Sequence, residues 1–212
     1  MKKRYFFMML WGMVSGTILT ACDPKQEVIY TGTANPHFDG TMMDYLRSDA
    51  YNWELTVKAI EYAGLTDLFE GQVDTARAIT FWGPKSYSIQ RYLWDQRGEV
   101  VTDIPASQMR ALILRHVVIG KFLKEDIAFR NMSYLITDPR QDGGTLFTCI
   151  AGNRVKAYKN TSSYEGIPEA GPVTLHLHSM TLDQMVPMAT PDIQPRNGVV
   201  HALDYGYRFG NI

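Results

Sequence analysis

Asn197-Gly198-Val199-Val200-His201-Ala202-Leu203-Asp204 is the stretch on which the fold turns. Asn-Gly suits a tight turn, because both residues tolerate positive φ. Beyond it, Val199, His201 and Leu203 alternate with Val200, Ala202 and Asp204. The segment therefore reads as a strand with one face fully buried and the other partly buried.

Outward from this strand, the second half of the chain continues in the same idiom. Short apolar runs at residues 117–119, 133–137, 145–150, 154–158 and 173–182 read as strands. Gly143-Gly144 and Gly152-Asn153 supply turns between them. The first half reads as helices. Asn52 is a candidate cap for a helix whose Trp53, Val57 and Ile60 share a face, and Gly64 can end it. Residues 77–82 form a short strand candidate, after which Pro84 opens a helix with Ile89 and Leu93 one turn apart. A further helix begins near Pro105, with a stripe of Met109, Leu112, Ile113, His116 and Val117. Helices first and strands later imply an α+β fold with a single domain over residues 41–209.

The amino end carries a different signal. Lys2, Lys3 and Arg4 precede an apolar run from Tyr5 to Leu19, and Leu19-Thr20-Ala21-Cys22 closes it. This is the pattern of a secretory signal over residues 1–21, and its last four residues resemble a lipobox cut before an acylated cysteine. The run is short of the roughly 20 residues needed to span a bilayer. Cys22 is thus expected to anchor the protein through lipid, with residues 22–40 as the tether. Acyl chains contribute about 0.8 kcal/mol per buried methylene. Asp23 marks inner-membrane retention in some bacteria and accompanies surface export in others; the cell envelope, with the outer membrane foremost, is the expected location.

Removal of residues 1–21 leaves 191 residues carrying 18 basic and 22 acidic side chains, a formal charge of −4. That balance argues against a nucleic-acid partner. With Cys22 given to lipid, Cys149 has no cysteine to pair with and reads as a small buried hydrophobe in a strand.

Three segments in order resemble the motifs of the fasciclin domain family. They are Thr80-Phe81-Trp82-Gly83-Pro84-Lys85-Ser86-Tyr87-Ser88-Ile89, then Leu112-Ile113-Leu114-Arg115-His116-Val117-Val118-Ile119, then Asn197 to Asp204. The family's last motif looks like Asn-Gly-Val-Ile-His-Val-Ile-Asp, and here Asn197, Gly198, Val199, His201 and Asp204 match it. The resemblance implies a wedge-shaped β-sandwich with helices packed beside it, acting in adhesion and extracellular binding without catalysis. It also marks Arg115, His116, Asn197, His201 and Asp204 as motif or binding positions. Lys85 and Ser86 depart from the family's Thr-Asn/Asp pair, although Ser86 can still cap locally. Arg115 replaces the usual tyrosine of the Tyr-His pair, which in matrix relatives is tied to adhesion. The segment 138–172 looks long and suits a loop or hairpin of its own.

The remaining chemistry is sparse. His116 lies on an apolar stripe and is expected to be a satisfied core histidine, bonded to backbone or to Asn197 or Asp204. His176 and His178 bracket Leu177, so both imidazoles share one strand face. As a metal pair they would need a third ligand, for which His201 and His37 are the candidates. The polar face of a half-buried strand is the reading adopted. Trp82, Tyr87, Tyr92 and Trp94 cluster near the first motif, as core or as a stacking surface for a sugar. No nucleophile elbow, phosphate-cradling loop or paired-cysteine motif appears. The sequence therefore reads as a non-catalytic, cofactor-free, envelope-anchored module for a protein or glycan ligand. The alternative is an accessory lipoprotein subunit of an outer-membrane Sus-type nutrient importer.

Overall fold

Residues 35–167 and 170–212 are described by a computed structural model. The expected signal segment, Cys22 and most of the tether lie outside the described residues. Among those residues, no helix is long and apolar enough to cross a membrane.

The sheet is organised around β8 (Gly198–Leu203). On one side β8 pairs in parallel with β2 (Ile79–Gly83), which pairs antiparallel with β3 (Val117–Ile119). On the other side an antiparallel meander runs through β7 (Gln184–Pro195), β6 (Thr174–Ser179), β5 (Arg154–Asn160) and β4 (Thr145–Thr148). Just past β4, the Ile150 N–H donates to the Val117 carbonyl at 2.8 Å. That bond brings the two ends of the sheet together into a nearly closed wedge.

Among the described residues, five α-helices cover one face. They are α1 (Met42–Ser48), α2 (Ala50–Tyr62), α3 (Thr66–Phe69), α4 (Ser86–Asp95) and α5 (Ala106–Leu114). Alternation along β2 and β8 divides the interior into two cores. Ile79, Phe81, Val200 and Ala202 meet Met42, Trp53, Phe69, Ile89 and Met109 from the helices. Trp82 and Leu203 point the other way, onto Phe147, Val155, Leu177 and Val186. All six residues of β8 are buried. The expectation of one partly exposed face is therefore corrected: the meander folds back over that face. Each large side chain so buried contributes about 1.5–3 kcal/mol.

Local chemistry explains the helix ends. Thr41 and Asp44 form a capping box: the Asp44 N–H donates to Thr41 Oγ1 at 3.1 Å and the Thr41 N–H to Asp44 Oδ2 at 2.8 Å. This helix is absent from the sequence reading. The cap of α2 is Asp49, whose carboxylate accepts from the Asn52 N–H at 3.2 Å; Asn52 itself lies inside the helix. Gly64 takes a φ of 65° just past α2, and Leu65 N–H donates to Ile60 O, a Schellman ending. Pro84 stands before the Lys85 cap of α4 and not inside the helix.

Two strand expectations change. Residues 133–137 form turns, with the Gln141 side chain amide donating to the carbonyls of Asn131 and Tyr134. In contrast, β7 is a twelve-residue strand despite Pro187, Pro191 and Pro195. Pro187 sits in the ladder opposite His176 and Pro195 ends the strand, while Pro191 falls in the register shift between Thr190 and Ile193. At such irregularities a residue without N–H forfeits no ladder bond. At the near end of the described chain, β1 (His37–Phe38) pairs in parallel with the end of β7. The last residues of the expected tether thus belong to the sheet. Past residue 209, Ile212 is fully buried.

Candidate functional site

The motif residues form a scaffold. Asn197 ties together three elements, two of them through its side chain. Its Oδ1 accepts from the Met42 N–H at the start of α1 (2.6 Å), and its Nδ2 donates to the Phe69 carbonyl at the end of α3 (2.9 Å). Its own carbonyl accepts from the Ile79 N–H at 3.2 Å. The expected turn is present between β7 and β8, with positive φ at Gly198 but not at Asn197, whose side chain braces the helices. Gly198 is required by proximity: a Cβ there would overlap the Ile79 carbonyl oxygen and lie 2.9 Å from Met42 Cε.

Both motif histidines are fully buried and fixed in one tautomer. His116 donates from Nδ1 to the Leu112 carbonyl at 2.8 Å, which leaves Nε2 to accept from the Tyr207 hydroxyl at 2.7 Å. The partner is Tyr207, in place of Asn197 or Asp204. The ring also stacks on Phe209 at 5.2 Å. Burial pulls the His116 pKa down to about 3 and pushes the Tyr207 hydroxyl up. His201 accepts from the Asp192 N–H at Nδ1 (3.3 Å) and donates from Nε2 to the Phe122 carbonyl (2.9 Å). It stacks on Trp82 at 4.9 Å, and burial lowers its pKa as well. With every ring nitrogen engaged and each ring neutral, these residues hold the fold.

Arg115 caps the end of α5 and is only partly exposed. Its carbonyl accepts from Asn153 Nδ2 at 3.2 Å. Its guanidinium acts on buried neighbours: it holds the pKa values of Cys149 and Tyr207 lower than burial alone would put them. The Cys149 thiol is nevertheless pushed up to about 12 by burial.

His176 and His178 do share one face of β6, with Leu175 and Leu177 on the other. That face is more deeply covered than a half-buried strand: His178 is buried and its Nε2 lies 2.8 Å from Asp183 Oδ1. Among the described residues no group of three potential ligands surrounds the pair. His201 is stacked on Trp82 in the core beneath the meander and committed as described above, and His37 is exposed on β1. The 138–172 segment contains the β4–β5 hairpin, followed by a turn in which Tyr164 and Ile167 are exposed.

The cleft of interest lies elsewhere, where the amino end of α2 meets α4. It encloses about 650 Å³ and is lined by Tyr51, Asn52 and Glu54 from α2, Tyr87 and Gln90 from α4, and Tyr205 from beyond β8. Asp204 places Tyr205. Its Oδ1 accepts from the Gly206 N–H at 2.7 Å, closing a turn. Arg91 Nη2 clamps that turn by donating to the Tyr205 and Tyr207 carbonyls. The Tyr205 hydroxyl donates to Asn52 Oδ1 at 2.6 Å, and the Asn52 amide donates in turn to Asp49 Oδ2. Lys85 Nζ sits 4.1 Å from the centre of the Tyr205 ring, and the Arg91 guanidinium 4.9 Å from that of Tyr87. Ser86 does not cap α4; its hydroxyl accepts from the Leu55 N–H at 3.0 Å, joining the two helices under the cleft.

Of the four aromatic residues marked near the first motif, only Tyr87 lines this cleft. Trp82 is core, Tyr92 is half-buried against Phe209, and Trp94 is exposed outside the lining. Sequence reasoning missed Tyr51 and Tyr205. The one available signal for Tyr205 was its position directly after the motif aspartate.

No protein-family model matches the chain, and no curated protein sequence matches it. Solved structures do. One is a fasciclin domain pair from the insect cell adhesion molecule fasciclin I, with a TM-score of 0.53 and 15% sequence identity. The match covers 78% of this chain and 50% of that one, so this chain spans about half the length of the domain pair. The chain has a fasciclin-like α+β fold.

Proposed function

We propose that the protein is a non-catalytic binding or adhesion module, held at the cell envelope by lipid on Cys22, which takes a protein or glycan ligand. The observation that carries this reading is the division of labour in the fold. The two motif histidines are buried, neutral and spent on structure, whereas the exposed rings of Tyr51, Tyr87 and Tyr205 meet in one preformed cleft. A cleft with aromatic walls and a few convergent polar groups is the usual form of a ligand site. The likeness to a domain pair from a cell adhesion molecule supports the same class of function.

The anchor is tested by growing cells that express the full chain with an alkynyl fatty acid. Label on the wild-type protein in the membrane fraction, absent from Cys22→Ala, is the expected result. An unlabelled protein in the soluble fraction overturns the lipoprotein reading.

A second reading, the accessory subunit of an outer-membrane Sus-type importer, is favoured by a separate feature. Leu146, Met180, Leu182 and Met185 are all exposed on the outer side of the meander or its β6–β7 turn. Exposed apolar side chains at that turn, Met180, Leu182 and Met185, suit a protein partner. Recovery of a stoichiometric transporter with the native lipoprotein in mild detergent supports this reading; recovery of the lipoprotein alone removes it.

A further inference from the structure

We infer that the Tyr51–Tyr87–Tyr205 cleft is a site for a neutral pyranose sugar. This rests on the reading of the chain as a binding module and narrows it to one ligand chemistry at one place.

The argument begins with the rings. Tyr51 is 87% exposed, Tyr87 48% and Tyr205 42%. Three tyrosines around one concavity offer apolar ring area, and each carries a polar hydroxyl tip. A pyranose ring has the complementary character, with axial C–H groups on its faces and hydroxyls along its edge. Two of the platforms are immobilised before any ligand arrives. Tyr205 is held by Asn52 at its tip and by Lys85 over its ring. Tyr87 carries Arg91 against its ring. Prior fixing of contact groups lowers the ordering cost of binding.

Charge decides which sugar. The two nearest cations are committed: Arg91 to two backbone carbonyls and the Tyr87 ring, and Lys85, only 8% exposed, to the Tyr205 ring. The carboxylate in the lining, Glu54, is paired with Lys58 at 2.6 Å. No uncommitted cation among the lining residues faces the cleft to meet a uronate or sulfate. What remains are groups that both donate and accept, the Gln90 amide and the Ser86 and tyrosine hydroxyls, together with the acceptor Glu54. Sugar hydroxyls also donate and accept. A proline-rich peptide, the other common guest of tyrosine-lined grooves, presents carbonyl acceptors only, and Glu54 has nothing to offer it.

The test is calorimetric titration of the full chain, in a detergent without a sugar headgroup. The probes are neutral hexasaccharides of mannose, glucose, xylose and galactose, with hexagalacturonate and decaproline for comparison. At least one neutral hexasaccharide is expected to bind. Tyr51→Ala and Tyr87→Ala should each weaken that binding by roughly 10-fold. The exposed Trp94→Ala, outside the lining, should change it by less than about two-fold. All three positions are solvent-facing, and unchanged circular dichroism verifies that the variants fold. Three outcomes overturn the inference: no neutral sugar binds, binding survives both alanine variants, or only hexagalacturonate or decaproline binds. In each case the binding-module reading still stands or falls on its own, by whether the native lipoprotein recovers a partner or decaproline binds.

Discussion

Asn197→Ala removes a side chain that serves two helices at once. The change deletes the acceptor for the Met42 N–H and the donor to the Phe69 carbonyl. Each hydrogen bond is worth about 1 kcal/mol net, and a backbone group stranded away from water costs about 1–3 kcal/mol. Met42 and Phe69 are both fully buried, so water can reach neither group without opening the helix layer. Two stranded groups give a loss of about 3–5 kcal/mol. For a domain of this size 1 kcal/mol shifts the melting midpoint by roughly 2–4 °C, so the variant should melt roughly 6–20 °C lower. Urea unfolding followed by tryptophan fluorescence measures the difference, since Trp53 and Trp82 report one core each. A loss below about 1 kcal/mol with an unchanged denaturant slope would falsify the bracing role of Asn197.

Three further predictions follow from the same geometry. Gly198→Ala should destabilise by at least about 2 kcal/mol, because the new methyl meets the Ile79 backbone oxygen and not a yielding side chain; a neutral result by thermal melting would contradict the close approach of β2 and β8. Acid should weaken the fold early: unfolded His116 takes a proton below about pH 6.5, while the native ring stays neutral until about 3. The unfolded state then binds more protons, so this stability is present above pH 6.5 and is lost between those values, by up to about 1.4 kcal/mol per pH unit. His201 and His176 shift in the same direction, and urea midpoints that stay flat from pH 7 to 4.5 would refute the assignment. Cys149, 3% exposed and with its thiol raised to about 12, should react with thiol reagents only as fast as the domain opens; rapid labelling of the folded protein would show that the β4 end is not closed as described.

Much of the layout was legible because it depends on short-range rules. The strand after Asn197, the helix ending at Gly64 and the helix opening after Pro105 follow from turn chemistry and periodicity that span few residues. The capping box of Thr41 and Asp44 was equally local and went unread because α1 is short. What stayed hidden depended on distant partners. The three prolines of β7 argue against a strand, and how each is seated is set by pairing with β6, β8 and β1. The double burial of His201 requires the meander to return over β8. The cleft is the extreme case: Tyr51, Tyr87 and Tyr205 share no period, and only the packing of α2 on α4 and the turn after β8 bring them together.

The place of β8 also sets an order of events. The strand at the centre of the sheet follows every other element of the wedge in chain order, so it emerges after all of them when the chain is made from its amino end. Until residues 198–203 arrive, β2 lacks its parallel neighbour, and α1 and α3 lack the amide that joins them. Pairing of Ile79 with Gly198 closes a long loop, and contacts of that kind are slow to form. The earlier elements must therefore wait, incomplete, for a late keystone. A chain built this way stays loose until β8 has arrived and locks only then.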